Sequence, residues 1–252
     1  LNLLISDNYS ANYIVDVPEN NTFNENGEMN FTVRLTSRPT SDVTLTALSG
    51  DSTQMLFADG NNTRSVVFTP ADWNSPATFT VKGVSDQRQD GDANVSVLFS
   101  VTGALEYEES GAADQFAVTV VDTDVAGYTY TGPLDPTVAE SGFGKEFSIV
   151  LNTRPFTDVR LNMNISGDNF ILSKQYVVFT PDNWNSPQEI IVSAVDDAKA
   201  DGTQNGTLVF SVLTSDGGYS PIKPEDKTFY AADNDTAGYI IRSAGGNELP
   251  EE

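Results

Sequence analysis

Acidic side chains in this 252-residue chain are gathered into short clusters. Asp86 is followed by Asp90, Gly91 and Asp92, and Asp122 and Asp124 stand two apart. Further on, Asp196 and Asp197 adjoin Asp201-Gly202, and Asp233 and Asp235 repeat the two-residue spacing. The chain carries 36 Asp and Glu against 13 Lys and Arg, for a formal net charge of −23. Carboxylates crowded in this way repel one another unless a cation sits among them. The absence of His and Cys excludes imidazole and thiolate metal sites, and every catalytic scheme that needs those groups. What remains is a hard divalent cation held by oxygens. Calcium takes about 6 to 8 oxygens at about 2.3–2.6 Å with tolerant geometry, which suits ligands drawn from several loops. Magnesium demands a tighter octahedron and keeps its waters, so it is the poorer match.

The clusters recur because the chain is repetitive. Phe68-Thr69-Pro70-Ala71-Asp72-Trp73-Asn74-Ser75-Pro76 returns as Phe179-Thr180-Pro181-Asp182-Asn183-Trp184-Asn185-Ser186-Pro187, 111 residues on. Asp122-Thr123-Asp124-Val125-Ala126-Gly127-Tyr128 returns at the same shift as Asp233-Asn234-Asp235-Thr236-Ala237-Gly238-Tyr239. A third copy, Asp7 to Tyr13, lies 115 residues upstream of Asp122. A fixed long period means an array of similar modules. The expected organisation is the tail of a preceding repeat over 1–10, one repeat over 11–125, a second over 126–236 and the start of another over 237–252. The chain then reads as a piece of a longer tandem protein. Each complete repeat has a normal length for one hydrophobic core.

Period-2 alternation of apolar and polar residues predicts the elements. In the first repeat it gives strands at about Tyr13–Val17, Met29–Thr36, Asp42–Leu48, Thr63–Thr69, Ala77–Val84, Asn94–Val101 and Gln115–Val121. In the second it gives Tyr128–Thr131 (with a resumption near Val138), Lys145–Asn152, Val159–Ser166, Tyr176–Thr180, Glu189–Val195, Thr207–Leu213 and Lys227–Ala231. No segment keeps a helical period. The fold class is all-β: tandem seven-stranded immunoglobulin-like sandwiches. Only Val125, Ala126 and Gly127 separate Asp124 from Tyr128, so the sandwiches are expected to follow one another end to end in an elongated array.

If strands alternate in direction, the first, third, fifth and seventh finish at one pole. There the first repeat places Glu19, Asp51, Asp86, Asp90, Asp122 and Asp124. The second places Glu140, Asp168, Asp196, Asp197, Asp201, Asp233 and Asp235 there. The other pole carries Ser37-Arg38-Pro39 and Thr153-Arg154-Pro155, with no comparable acidic cluster. Asp is common in β-turns for its own reasons, because its side chain caps the turn backbone. Turn chemistry, however, does not favour one pole over the other.

A Glu after the first strand, an Asp-rich turn after the fifth and an Asp-x-Asp closing the seventh resemble the Calx-β domain, the calcium-binding sandwich of sodium–calcium exchangers. The Phe-Thr-Pro-x-x-Trp-x-x-Pro string and Asp-Asn-Asp-Thr-Ala-Gly are more similar to Calx-β-type repeats of large bacterial surface proteins and adhesins. The resemblance spans about Tyr13 to Asp235. It implies calcium at the acidic pole with the residues just named as ligands, neighbouring repeats as partners, and an extracellular, cell-surface setting. Ser85-Asp86 stands where the second repeat has Asp196-Asp197, which predicts a sparser first site.

Other functions fit less well. The acidity disfavours nucleic acid and anionic membrane, and no stretch is apolar enough to span a bilayer. Paired carboxylates occur in glycosidases, but these acids are many, clustered and duplicated, so no enzyme is expected. Trp73 and Trp184, identically placed, are expected to cap the core. The principal alternative is a module that recognises a glycan or protein partner through the non-repeated loops Phe57–Arg64, Ala104–Gly111 and Thr214–Pro224, notably Tyr107 and Tyr219.

Overall fold

A computed structural model describes residues 11–108 and 115–240. The expected tail over 1–10, most of the Asp7–Tyr13 copy, residues 109–111 of one non-repeated loop and the part of the following repeat beyond 240 lie outside the described residues. The chain divides into two compact units between Val125 and Ala126.

The first unit runs β1 (Tyr13–Asp16), β2 (Thr22–Asn24), β3 (Glu28–Leu35), β4 (Val43–Ser49), β5 (Met55–Phe57), β6 (Thr63–Phe68), β7 (Ala77–Gly83), β8 (Ala93–Thr102), a short helix α1 (Leu105–Glu108) and β9 (Gln115–Val121). The second runs β10 (Tyr128–Thr131), β11 (Thr137–Ala139), β12 (Lys145–Leu151), β13 (Val159–Ile165), β14 (Phe170–Leu172), β15 (Tyr176–Phe179), β16 (Gln188–Ala194), β17 (Gln204–Leu213) and β18 (Lys227–Ala232). Each unit is a β-sandwich of a four-stranded and a five-stranded sheet, ordered β1-β3-β7-β5 with β2-β9-β8-β4-β6, and β10-β12-β16-β14 with β11-β18-β17-β13-β15. The seven expected strands are present in each. Short strands are added: β2 and β5 in the first unit and β14 in the second, while β11 is the expected resumption near Val138, as a strand of its own.

The sheets are held by alternating inward side chains. Along β3 the buried residues are Met29, Phe31, Val33 and Leu35, and along β4 they are Val43, Leu45, Ala47 and Ser49. Phe31 stacks on Phe79 from the facing position of β7, with ring centroids 5.2 Å apart. In the second unit Phe147, Ile149, Ile190, Val192, Leu208 and Phe210 fill the same space. Trp73 and Trp184 pack partly buried against their cores, and their carbonyls accept from Leu35 and Leu151 N–H, so they close one end of each sandwich.

Tyr107 and Tyr219, the tyrosines that a partner-binding surface would use, are both 1% exposed. The Tyr107 hydroxyl donates to the Ser37 carbonyl and accepts from its N–H. The Tyr219 hydroxyl makes the same pair of bonds to Thr153. Each ties the connection before the last strand to the pole opposite the acidic one. They are structural in both units, which corrects the expectation that these loops offer them to a ligand.

Candidate metal centres

The feature that positions the acidic pole is the short strand that the alternation pattern under-reads. After β1 the chain leaves the four-stranded sheet and, as β2, pairs in parallel with β9, matching Thr22 to Thr119 and Asn24 to Val121. In the second unit β11 pairs in parallel with β18, matching Ala139 to Ala232. Parallel neighbours finish at the same end. The residue after β2, Glu25, therefore arrives beside Asp122 and Asp124, and the residue after β11, Glu140, beside Asp233 and Asp235. Phe23 and Val138, both buried, anchor the short strands in the cores and fix where each glutamate emerges.

In the first unit, ligand oxygens of Glu25, Asp86 and Asp90 lie within 4.8 Å of one another, as do those of Glu25, Asp122 and Asp124. In the second, Glu140, Asp233 and Asp235 form one such group. Oxygens on opposite sides of a calcium ion, at about 2.4 Å each, are about 4.8 Å apart, so these triads have the right span. Glu25 and Glu140 are each 5% exposed. Glu25 Oε2, Asp124 Oδ2, Glu140 Oε2 and Asp235 Oδ2 are buried with no hydrogen-bond partner among the described residues. A buried carboxylate oxygen without a donor is costly, and here four such oxygens belong to residues of the acidic triads. Oxygens of this kind fit a hard cation.

The electrostatics agree. Burial, then repulsion from Asp124, Asp122, Asp86 and Asp90, pushes the Glu25 carboxyl up to about 7. Burial and neighbouring aspartates also raise Asp90 and Asp124. In the second unit Glu140 is raised by burial and then by Asp233, Asp197 and Asp201, and Asp235 by burial and then by Asp233, Asp196, Asp197 and Asp201. Asp233 moves the other way because backbone N–H groups of Asp235 and Gly202 donate to it, at 2.7 and 2.6 Å. Asp122 accepts in the same manner from Asp124, Asp90 and Gly91. The turn that delivers Gly91 and Gly202 places both at positive φ, 89° and 74°, a conformation that glycine adopts without strain.

Of the sequence-derived ligands, Asp86, Asp90, Asp122, Asp124, Glu140, Asp233 and Asp235 are brought together. Asp196, Asp197 and Asp201 stand in the field of the second cluster but outside its close triad. Glu19 is exposed and precedes β2, so the whole of that strand separates it in sequence from the pole; the glutamate at the pole is Glu25. Asp51 is exposed, and its carboxylate accepts from the N–H and hydroxyl of Thr53 at 2.9 and 2.6 Å, a turn cap that holds its carboxyl low. Asp168 is exposed and belongs to no triad. Glu25 was findable: Glu25-Asn26-Gly27 and Glu140-Ser141-Gly142 match at the 115-residue shift that also relates Asp7 to Asp122. The first pole is not the sparser one, since it closes two triads against one.

No family model matches the chain, and no curated protein does. Among solved structures the chain is similar to CBD12 from CALX1.2, with 13% identity over 88% of this chain and 99% of that one and a TM-score of 0.36. It is similar also to the calcium-binding domain CBD12 of CALX1.1, with 15% identity over 75% of each and a TM-score of 0.33. A protein of unknown function from Porphyromonas gingivalis W83 matches at 12% identity over 87% of this chain and 99% of that one, with a TM-score of 0.28. At these values the fold rests on the strand order above. No described helix is long and apolar enough to cross a membrane.

Proposed function

We propose that each unit is a calcium-binding module and that the pair serves as a structural spacer in a longer extracellular protein of the bacterial adhesin type. The observation that carries the calcium reading is that Glu25 and Glu140 each hold an unpartnered buried oxygen and each belong to a triad of carboxylates whose ligand oxygens lie within 4.8 Å of one another. In the first unit the ligands are Glu25, Asp86, Asp90, Asp122 and Asp124; in the second they are Glu140, Asp233 and Asp235, with Asp196, Asp197 and Asp201 at the rim. The role is mechanical, not catalytic. Only three residues separate Asp124 from the first strand of the next unit, so an ion that fixes Asp124 also restricts the connection. Calcium then stiffens the junction and, by binding only the folded state, stabilises the module.

The test is a thermal melt in excess chelator and across a calcium titration, with magnesium as control. At about 100-fold excess over Kd, one ion adds about 2.7 kcal/mol, a rise on the order of 10 °C for a unit of this size. A rise specific to calcium is the expected result. An unchanged melt in a folded chain would return the clusters to turn chemistry.

A further inference from the structure

The carboxylates of this chain avoid one face of the first unit. In its five-stranded sheet, β2, β4, β8 and β9 hold no Asp, Glu, Lys or Arg, and β6 holds only Arg64. Arg64 lies opposite buried Ala47 across the ladder and pairs with Asp59 at 3.0 Å, so it belongs to the other side of the sheet. The outward face of that sheet is therefore uncharged, in a chain with 36 acidic side chains. The four-stranded sheet contrasts with it, since Asp16 and Glu28 are exposed there. In the second unit the five-stranded sheet also holds no Asp or Glu, but Arg160, opposite exposed Leu213, brings a charge to its outward face. The neutral face of the first unit is also partly apolar. Leu98 on the middle strand β8 and its cross-strand partner Leu48 are each 37% exposed, and Val67 on β6 is 50% exposed. Thr46 and Ser65, beside them, bond hydroxyl to hydroxyl at 2.7 Å, so covering them leaves that pair with a mutual partner.

We propose that this face is where two copies of the chain pack back to back, each covering the other's outer sheet about a two-fold axis. Charge selects the occupant. A chain of net charge −23 repels its own copies, and the acidic poles and the four-stranded sheet would bring carboxylates together. The uncharged sheet lets two copies touch without burying a carboxylate. A basic partner is drawn to the acidic surfaces instead. The second unit's sheet is the poorer seat, because a two-fold pairing there buries two copies of Arg160. The area is sufficient. Five strands about 4.8 Å apart, running about 3.3 Å per residue through the seven residues of β4 and of β9, present a face of about 24 by 23 Å. Two such faces bury about 1,100 Å², enough for a specific but weak pairing.

The experiment is sedimentation equilibrium of the whole chain from micromolar to millimolar concentration, at fixed calcium and at low and high sodium chloride. The natural chain is compared with Leu98→Glu and Ser100→Glu on the neutral face, and with Thr78→Glu on the outward face of the four-stranded sheet, which adds the same charge elsewhere. Ser100 and Thr78 are exposed, so those two substitutions leave the core intact. The expected result is a reversible dimer that tightens as salt screens the repulsion between copies. Leu98→Glu and Ser100→Glu should weaken it more than about tenfold, and Thr78→Glu less than about twofold. A chain that stays monomeric throughout overturns the proposal. So does a dimer that loosens with salt, that neither face substitution weakens, or that Thr78→Glu weakens as much as Ser100→Glu. None of these outcomes bears on the calcium reading, which the melts test separately.

Discussion

Glu25 and Glu140 each hold a buried carboxylate oxygen with no hydrogen-bond partner among the described residues, and this sets opposite expectations with and without calcium. Glu25→Gln removes the buried charge and offers the surrounding aspartates a donor. In chelator it should melt higher than the natural chain, and in calcium most of the ion-induced rise of the first unit should be lost. Glu140→Gln should do the same to the second unit, whereas Glu19→Gln and Asp51→Asn should leave the calcium response intact; melts of the four variants read this directly. The pH dependence follows from the same groups. The Glu25 carboxyl is raised from 4.5 to about 7, so between these values the folded state holds a proton that the unfolded state has released. Without calcium, its contribution to stability is complete below about 4.5 and is lost as pH rises through about 7. Asp51 and Asp233 run the other way: hydrogen bonds depress both, so their contribution is present above 3.8 and lost as pH falls through their lower folded values. The chelated protein should therefore be most stable in mildly acid solution. Calcium requires the ionised form, so its stabilising increment should grow between pH 5 and pH 8, about the span in which Glu25 ionises. Melting temperature against pH, with chelator and with calcium, checks both signs.

At the scale of elements, three-residue strands do the positioning, and they are the part that alternation reads worst. β2 and β11 contribute one buried side chain each, Phe23 and Val138, so their periodic signal is slight (alternation reads β11 only as a resumption near Val138 and β2 not at all), yet their parallel pairing carries the glutamate to the pole. That is why the seven long strands, the sandwich and the Asp-rich turns were legible in sequence while Glu19 stood in for Glu25: with β2 unread, the first acid after Val17 is Glu19. Asp51 was misplaced for a different reason. Strand order puts it after β4, but whether a carboxylate turns toward the pole or caps its own turn depends on Thr53, two residues on, and not on the strand. The close approach that fixes β2 offers a test. A Cβ at Gly83 would stand 2.7 Å from the Asn24 carbonyl oxygen and 2.9 Å from Glu25 Cα, both backbone atoms. Gly83 also donates to the Gly27 carbonyl and accepts from Asn26 N–H, so it grips the turn from both sides. Gly83→Ala should push the Glu25 turn outward, costing about 1–3 kcal/mol and weakening calcium binding at the first pole while leaving the second unchanged. Calorimetric titration distinguishes this from general loss of fold.

At the scale of the whole molecule, a net charge of −23 on 252 residues makes calcium one of two ways to relieve repulsion, the other being salt. They act at different ranges. Screening at 0.1 M shortens the reach of exposed charges to about 10 Å, so it damps repulsion between the clusters and the rest of the acidic surface. It does less for oxygens within 4.8 Å of one another around a buried glutamate, a separation well inside the screening length. Raising sodium chloride should therefore lift the melting temperature of the chelated chain only in part, with the rise levelling off, and the remaining gap to the calcium-loaded chain should persist at high salt. In Glu25→Gln/Glu140→Gln that residual gap should close, because the variant retains the surface charge but not the two buried glutamate carboxylates. A gap that vanished with salt alone in the natural chain would mean that calcium acts as a diffuse counter-ion. A gap that survives salt but not the paired substitution assigns its effect to the two buried glutamates, and with them to the strands β2 and β11 that set them there.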